Sequence, residues 1–296
     1  MLLLSRHTTL TAVFVGATRG IGLATLRSFA HHIPEPRAII IGRSAAKFAS
    51  QLDSLSELNP AGSYTFLENN IELIADIDAI CTTIIAKLEG QKIDLLFTSQ
   101  GYISFAGRET NADGLDSSIS LRYYGRVRFA TQLSSHLAPQ ARVISVLAGG
   151  KEGHILVDDL DLERNYSIPQ SMAQFSTMMT LSFDVFAKQN PDKRFLHIFP
   201  GNVATGLLGR SATGVLGVLM RWVVEPVLGF FSLKPEEAGE RMVYYGTSEM
   251  YPRGSLSLDW DGEAKEVKKL VVYRQEDMEE TVWEHNTRVF ARALLN

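Results

Sequence analysis

The chain has 296 residues, 45% of them hydrophobic and 21% charged, a globular mixture that excludes disordered and collagen-like classes. Lysine and arginine total 29 against 33 acidic residues, a formal charge of −4, so the basic footprint of a nucleic-acid binder is missing. Cys81 is the single cysteine, which excludes an internal disulfide and a disulfide-stapled fold.

Taken in chain order, the apolar run Met1-Leu2-Leu3-Leu4 is too short for a signal-peptide core of about 7–15 residues, and a cytoplasmic location is the expectation. Thr11–Val15 reads as a strand and Gly20–His31 as a helix. Strand Ala38–Ile41 and helix Ala45–Leu58 follow, then strand Tyr64–Leu67 and helix Ile74–Leu88. Strand Ile93–Phe97 precedes a long helix over Leu115–Leu137. Strand Arg142–Leu147, helix Ser171–Ala187 and strand Phe195–Phe199 complete the alternation. Alternating strands and helices imply crossover units around a parallel sheet. Continuous apolar runs such as Ile39-Ile40-Ile41 fit strands buried on both faces. The fold class expected is therefore α/β, a single Rossmann-type doubly wound parallel sheet with helices on both faces.

One domain spans 1–296, with a core over about 10–205, an apolar helical flap over about 205–233 and a C-terminal part over about 235–296. Arg221, Glu225 and Pro226 interrupt the apolar stretch Thr213–Phe231, so no membrane-spanning segment is expected there, and a flap over an apolar site is. In the tail, Pro235–Met250 reads as a helix, Lys268–Tyr273 as a last strand and Glu276–Leu295 as a terminal helix. Trp283 is expected to anchor that helix by packing, with His285 a surface neighbour.

The chemistry-bearing signal is Gly16-Ala17-Thr18-Arg19-Gly20-Ile21-Gly22, directly after the first strand and opening the first helix. Glycines there permit a tight turn and close approach of a pyrophosphate, and the helix N-terminus offers free N–H groups. Past the second strand, Gly42-Arg43-Ser44 stands where an acidic residue would read the ribose 2′-hydroxyl of NAD. Arg43, joined by Arg19, suits a 2′-phosphate and favours NADP over NAD.

The G-x-x-x-G-x-G spacing resembles the short-chain dehydrogenase/reductase superfamily. Two further segments carry the resemblance across roughly residues 10–205. Thr98-Ser99-Gln100-Gly101 stands at that family's Asn-Asn-Ala-Gly, and Pro200-Gly201-Asn202-Val203-Ala204-Thr205 looks like its Pro-Gly-x-Val-x-Thr. The wording Leu121-Arg122-Tyr123-Tyr124-Gly125-Arg126 and Val282-Trp283-Glu284-His285 looks like a fungal-type branch. The resemblance implies cofactor contacts by Asn70 toward adenine, by Gln100 and Gly101, and by Pro200, Gly201 and Val203 against the nicotinamide.

It also implies a serine, tyrosine, lysine and asparagine catalytic set, and here the chain departs from the pattern. Ala148 falls at the serine position and Arg122 at the asparagine position. Tyr166 is the remaining candidate for the tyrosine, although a one-residue register difference would put Ser167 and Ser171 at the tyrosine and lysine positions. No lysine occurs between Lys151 and Lys188. Lys151 and His154, just past the fifth strand, and Arg122 are candidate substitutes for the acid–base and polarising groups. The Asp158, Asp159 and Asp161 cluster lacks calcium-loop spacing, so no metal is expected.

Three functions follow from this reading. The first is an NADP(H)-dependent oxidoreductase acting on an apolar small molecule, within a fungal-type biosynthetic pathway, with a non-standard active site. The second is a non-redox isomerase, cyclase or dehydratase on the same scaffold. The third is a pseudo-reductase that binds a nucleotide or a partner, or that holds no cofactor. The expected partner is a small molecule rather than nucleic acid, and assembly into a homo-oligomer is left open.

Overall fold

The computed structural model describes residues 9–203 and 233–295. Seven parallel strands form one sheet: β1 (Thr9–Val15), β2 (Glu35–Gly42), β3 (Ser63–Glu68), β4 (Ile93–Thr98), β5 (Leu137–Val146), β6 (Arg194–Ile198) and β7 (Gly254–Leu258). Their order is β3-β2-β1-β4-β5-β6-β7, so the winding reverses between β1 and β4. Every strand runs the same way, so every strand-to-helix loop opens at one edge of the sheet.

The period-two alternation of a strand divides the core into two layers. Val13 and Val15 of β1 and Ile39 and Ile41 of β2 face α3 (Ile74–Leu88), α5 (Gly125–Leu133) and α6 (Ile168–Gln189). Ala12, Phe14, Ala38 and Ile40 face the other way, against α1 (Gly20–His32), α2 (Ala45–Leu58) and α7 (Pro235–Thr247). Phe14 is fully buried with its ring 5.5 Å from both Phe29 and Phe97. Burying such a side chain is worth about 1.5–3 kcal/mol. Local chemistry fixes the helix starts. Ser44 caps α2 by accepting the Lys47 N–H, Ser167 caps α6 by accepting the Gln170 N–H, and Pro235 opens α7 with Glu236 and Glu237 in its first turn.

Four readings of the sequence need correction. Lys268–Tyr273 is not a strand but lies in a helix, α8 (Lys268–Gln275). Leu270 and Tyr273 are buried while Val272 between them is exposed, a helical spacing. The last strand is β7, whose Gly-Ser-Leu-Ser-Leu sequence is too polar to read as a buried parallel strand. It lies at the sheet edge and is paired on β6 alone.

The long helix expected over Leu115–Leu137 is broken into α4 (Ser117–Ile119), a π turn (Ser120–Tyr124) and α5, and Leu137 already belongs to β5. Correspondingly, β5 starts five residues before Arg142, with its register against β4 shifting between Ile93 and Leu95.

The terminal helix is α9 (Met278–Ala293). Trp283 does anchor it, edge-on to Phe186 at 5.1 Å. His285, expected at the surface, is buried at 9% exposure and hydrogen-bonds the Tyr124 hydroxyl at 2.9 Å. The flap reading falls on 204–232, outside the described residues, as does Met1–Arg6. Among the described residues, no helix is long and apolar enough to cross a membrane.

Candidate functional site

The glycine loop sits at the switch point between β1 and β4. Gly16 has φ +85°, and a Cβ there would lie 2.3 Å from the Gln100 backbone nitrogen, so no larger residue fits. A Cβ on Gly22 would lie 2.5 Å from the Gly16 carbonyl oxygen. Ser99 ties the two sides together, donating its N–H to the Val15 carbonyl at 2.9 Å and its hydroxyl to that of Gly16 at 3.2 Å.

Helix α1 has no side-chain cap from Arg19 and no acidic residue in its first turn. The N–H groups of Gly20, Ile21 and Gly22 are thus free of side-chain acceptors at the positive end of the helix dipole. Uncapped donors, the Gly16–Gly22 cradle and the topological switch together fit a dinucleotide pyrophosphate.

Next to the loop, Thr18 packs its methyl where a Cβ on Gly42 would lie, at 2.6 Å. Arg19 and Arg43 are exposed on this rim. Asn70 is exposed just past β3, while the neighbouring Asn69 donates its N–H to the Gly42 carbonyl at 2.9 Å and buries a side-chain oxygen that has no hydrogen-bond partner.

Across the switch point, the π turn places Arg122. The N–H of Gly125 reaches back five residues to the Ser120 carbonyl, and such π segments concentrate at functional positions. Gly101, with φ +149°, lies directly against this turn, where a Cβ would meet the Arg122 Cβ at 2.9 Å. Arg122 is 5% exposed. Its guanidinium donates to the Ser171 hydroxyl and points a second N–H at the Met172 sulfur, 3.1 Å away. Tyr166, one residue before the α6 cap, is half-buried near Arg122 and Ser171.

Three groups are therefore neighbours here, the Tyr166 side chain, Ser171 and the Arg122 guanidinium, with a hydrogen bond between the last two. Burial raises the Tyr166 pKa above the ordinary tyrosine value and Asp116 adds to this, while Arg122 and Ser171 pull it down. Burial in turn lowers Arg122, opposed by Tyr166, Asp116 and Tyr102. A cation near Tyr166, which the sequence reading lacked, comes from the π turn, and burial still outweighs its pull on the tyrosine.

Sequence reasoning missed Arg126, one helical turn after Arg122. It is buried and donates to the Gln100 and Val146 carbonyls at 2.6 and 2.7 Å and to the Ser145 hydroxyl at 2.9 Å. Arg126 staples the ends of β4 and β5 together. Burial and the neighbouring Arg122 lower it to about 9. An arginine four residues from another on an otherwise apolar helix face was the available signal.

Lys151 and His154 are not brought to this cluster by any contact among the described residues. Lys151 pairs with Asp259 at 3.0 Å and lies over the Phe199 ring at 5.0 Å. His154 is exposed and meets the Tyr273 hydroxyl of α8 at 3.2 Å. Glu152 between them turns inward, accepting from Thr180 at 2.7 Å and Ser257 at 2.6 Å. The Ala148 N–H donates to His197 Nε2 at 3.1 Å, so the His197 proton sits on Nδ1, facing the Thr180 hydroxyl at 2.7 Å. This buried network holds the loop after β5. Asp159 likewise serves the backbone, accepting the N–H groups of Glu163, Arg164 and Asn165. Pro200 and Gly201 follow β6 at the same sheet edge as the glycine loop. Gly201 has φ +78°, and Val203 forms a bridge with Leu233.

Residues 10–155 match the sequence family described as short chain dehydrogenase. Oxidoreductase AN1596 of Emericella nidulans is 32% identical over 96% of this chain and 94% of its own length. The chain belongs to the short-chain dehydrogenase/reductase family. A second relative in this oxidoreductase family, Oxidoreductase andH of Emericella variicolor, is 32% identical over 98% of this chain and 94% of its own. Among solved structures, the NADPH-bound carbonyl reductase from chicken fatty liver superimposes with a TM-score of 0.62 at 15% identity, over 88% of this chain and 99% of the reductase. That likeness concerns the fold.

Proposed function

We propose that the chain is an NADP(H)-dependent oxidoreductase for an apolar small molecule, with Tyr166 as its proton donor and acceptor and Arg122 in place of the family lysine. One observation carries this: the Arg122 guanidinium, held on Ser171, is the cation that acts on the half-buried Tyr166. NADPH, when bound, would supply the hydride. The Gly16–Gly22 turn and the α1 N-terminus would hold its pyrophosphate, Arg43 and Arg19 its 2′-phosphate, and Asn70 its adenine. Gln100, Gly101, Pro200, Gly201 and Val203 would border the nicotinamide side.

The chain's own part is proton handling. Tyr166 gives a proton to the carbonyl oxygen of the substrate. Arg122 is the cation that would stabilise the tyrosinate left behind, and Ser171 holds its guanidinium in place. One acid–base group contributes about 10²–10⁴-fold. The test is NADPH consumption over a panel of apolar ketones and aldehydes, by wild type, Tyr166→Phe and Arg122→Met. Turnover that falls at least ~10²-fold in Tyr166→Phe supports the assignment. Undiminished turnover would reject it and make Lys151 and His154 the next residues to replace.

A non-redox isomerisation or dehydration is the second reading, and one observation favours it. Ala148 stands at the family's serine position and no lysine lies between Lys151 and Lys188, so the usual carbonyl-reducing set is incomplete. Product formed without any change in NADPH, and lost in Tyr166→Phe, would select that reading.

A further inference from the structure

The nucleotide rim holds a carboxylate to which the sequence assigns no role. Glu68 closes β3 and stands in register with Gly42, the last residue of β2. Its side chain crosses the end of β2 and accepts the N–H of Ala45, the first residue of α2, at 2.7 Å. Arg43 lies two residues before that N–H and is exposed. In doubly wound folds the group beyond the second strand reads the ribose 2′ position, an acid for the hydroxyl and an arginine for the phosphate. This chain brings both charges there, the arginine from the β2–α2 turn and the acid from β3. The contrast with α1 is direct: its N-terminus has no side-chain acceptor, whereas the first N–H of α2 already has an anion on it.

We propose that Glu68 is a specificity-determining residue for the dinucleotide, one that weakens the preference for a 2′-phosphorylated ribose that Arg43 creates. This rests on the dinucleotide reading of the glycine loop. A 2′-phosphate beside Arg43 repels the Glu68 carboxylate and competes with it for the Ala45 N–H. A 2′-hydroxyl meets neither conflict, since it can donate to the carboxylate.

Glu68→Gln keeps an acceptor for the Ala45 N–H and removes only the charge, and Glu68→Lys reverses it. Both changes fall on an exposed side chain. The measurement is calorimetric titration of the whole protein with NADP⁺ and NAD⁺, read as the ratio of the two dissociation constants. The preference for NADP⁺ should rise about tenfold in Glu68→Gln, the size expected for removing one nearby solvent-screened charge, and further in Glu68→Lys. An unchanged or smaller preference in both variants would reduce Glu68 to a helix cap and overturn the proposal. If wild type and both variants bind neither dinucleotide, the glycine-loop reading itself falls, and this inference with it. Binding with an unchanged ratio overturns the role of Glu68 alone.

Discussion

His285 should make this protein lose stability in mild acid, and the size of the loss follows from its surroundings. The imidazole is 9% exposed on α9 and bonds the fully buried Tyr124 hydroxyl at 2.9 Å. Burial lowers its pKa from 6.5 to about 4, with Asp161 opposing the shift and Arg288 and Arg292 adding to it. The folded pKa lies below the unfolded one, so the unfolded chain takes the proton first as pH falls. The stability tied to neutral His285 is therefore complete above pH ~6.5 and lost as pH drops toward ~4. At 1.36 kcal/mol per unit, the full loss is roughly 3 kcal/mol, with about 2 kcal/mol of it gone by pH 5. Glutamine at this position stays neutral and can still accept from Tyr124. Urea unfolding at pH 8, 6.5 and 5 should show His285→Gln somewhat weaker than wild type at pH 8, by about 1 kcal/mol. Between pH 8 and 5 the variant should lose about 2 kcal/mol less than wild type does. Equal losses in the two proteins would refute the argument, because carboxylates shared by both would then account for the whole pH response.

Other outcomes test the site more directly. Gly16→Ala puts a Cβ 2.3 Å from the Gln100 nitrogen at φ +85°, so dinucleotide affinity by calorimetry should fall beyond detection and the melting temperature should drop. Retained affinity would contradict the loop assignment. Arg43→Ala should weaken NADPH binding at least tenfold and leave NADH nearly unchanged, since only the former carries a charge for the guanidinium to meet. Equal effects on the two would remove the NADP assignment. Arg126→Met should destabilise the fold by several kcal/mol in denaturant titration, because the Gln100 and Val146 carbonyls and the Ser145 hydroxyl lose one shared donor at once. A loss below about 0.5 kcal/mol would show that the staple is dispensable.

What the sequence determined by itself is whatever depends on neighbours within one element. Ala45–Leu58 and Ile74–Leu88 are helices between the same residues in sequence and structure, because apolar periodicity and, at Ser44, a capping side chain act over a few positions. The Gly16–Gly22 turn is legible for the same reason, its φ values being reserved for glycine. Tertiary structure alone decided contacts between elements. Arg122 finds Ser171 across 49 residues, and Tyr124 finds His285 across 161. No local pattern distinguishes a histidine on a solvated helix face from one under a neighbouring tyrosine. β7 was hidden because an edge strand needs one partner and tolerates alternating serines, and the π turn because its extra residue leaves the apolar pattern almost unchanged. Glu68 ends an ordinary strand in sequence. It becomes an anion at the start of α2 only because parallel pairing sets the end of β3 beside the end of β2.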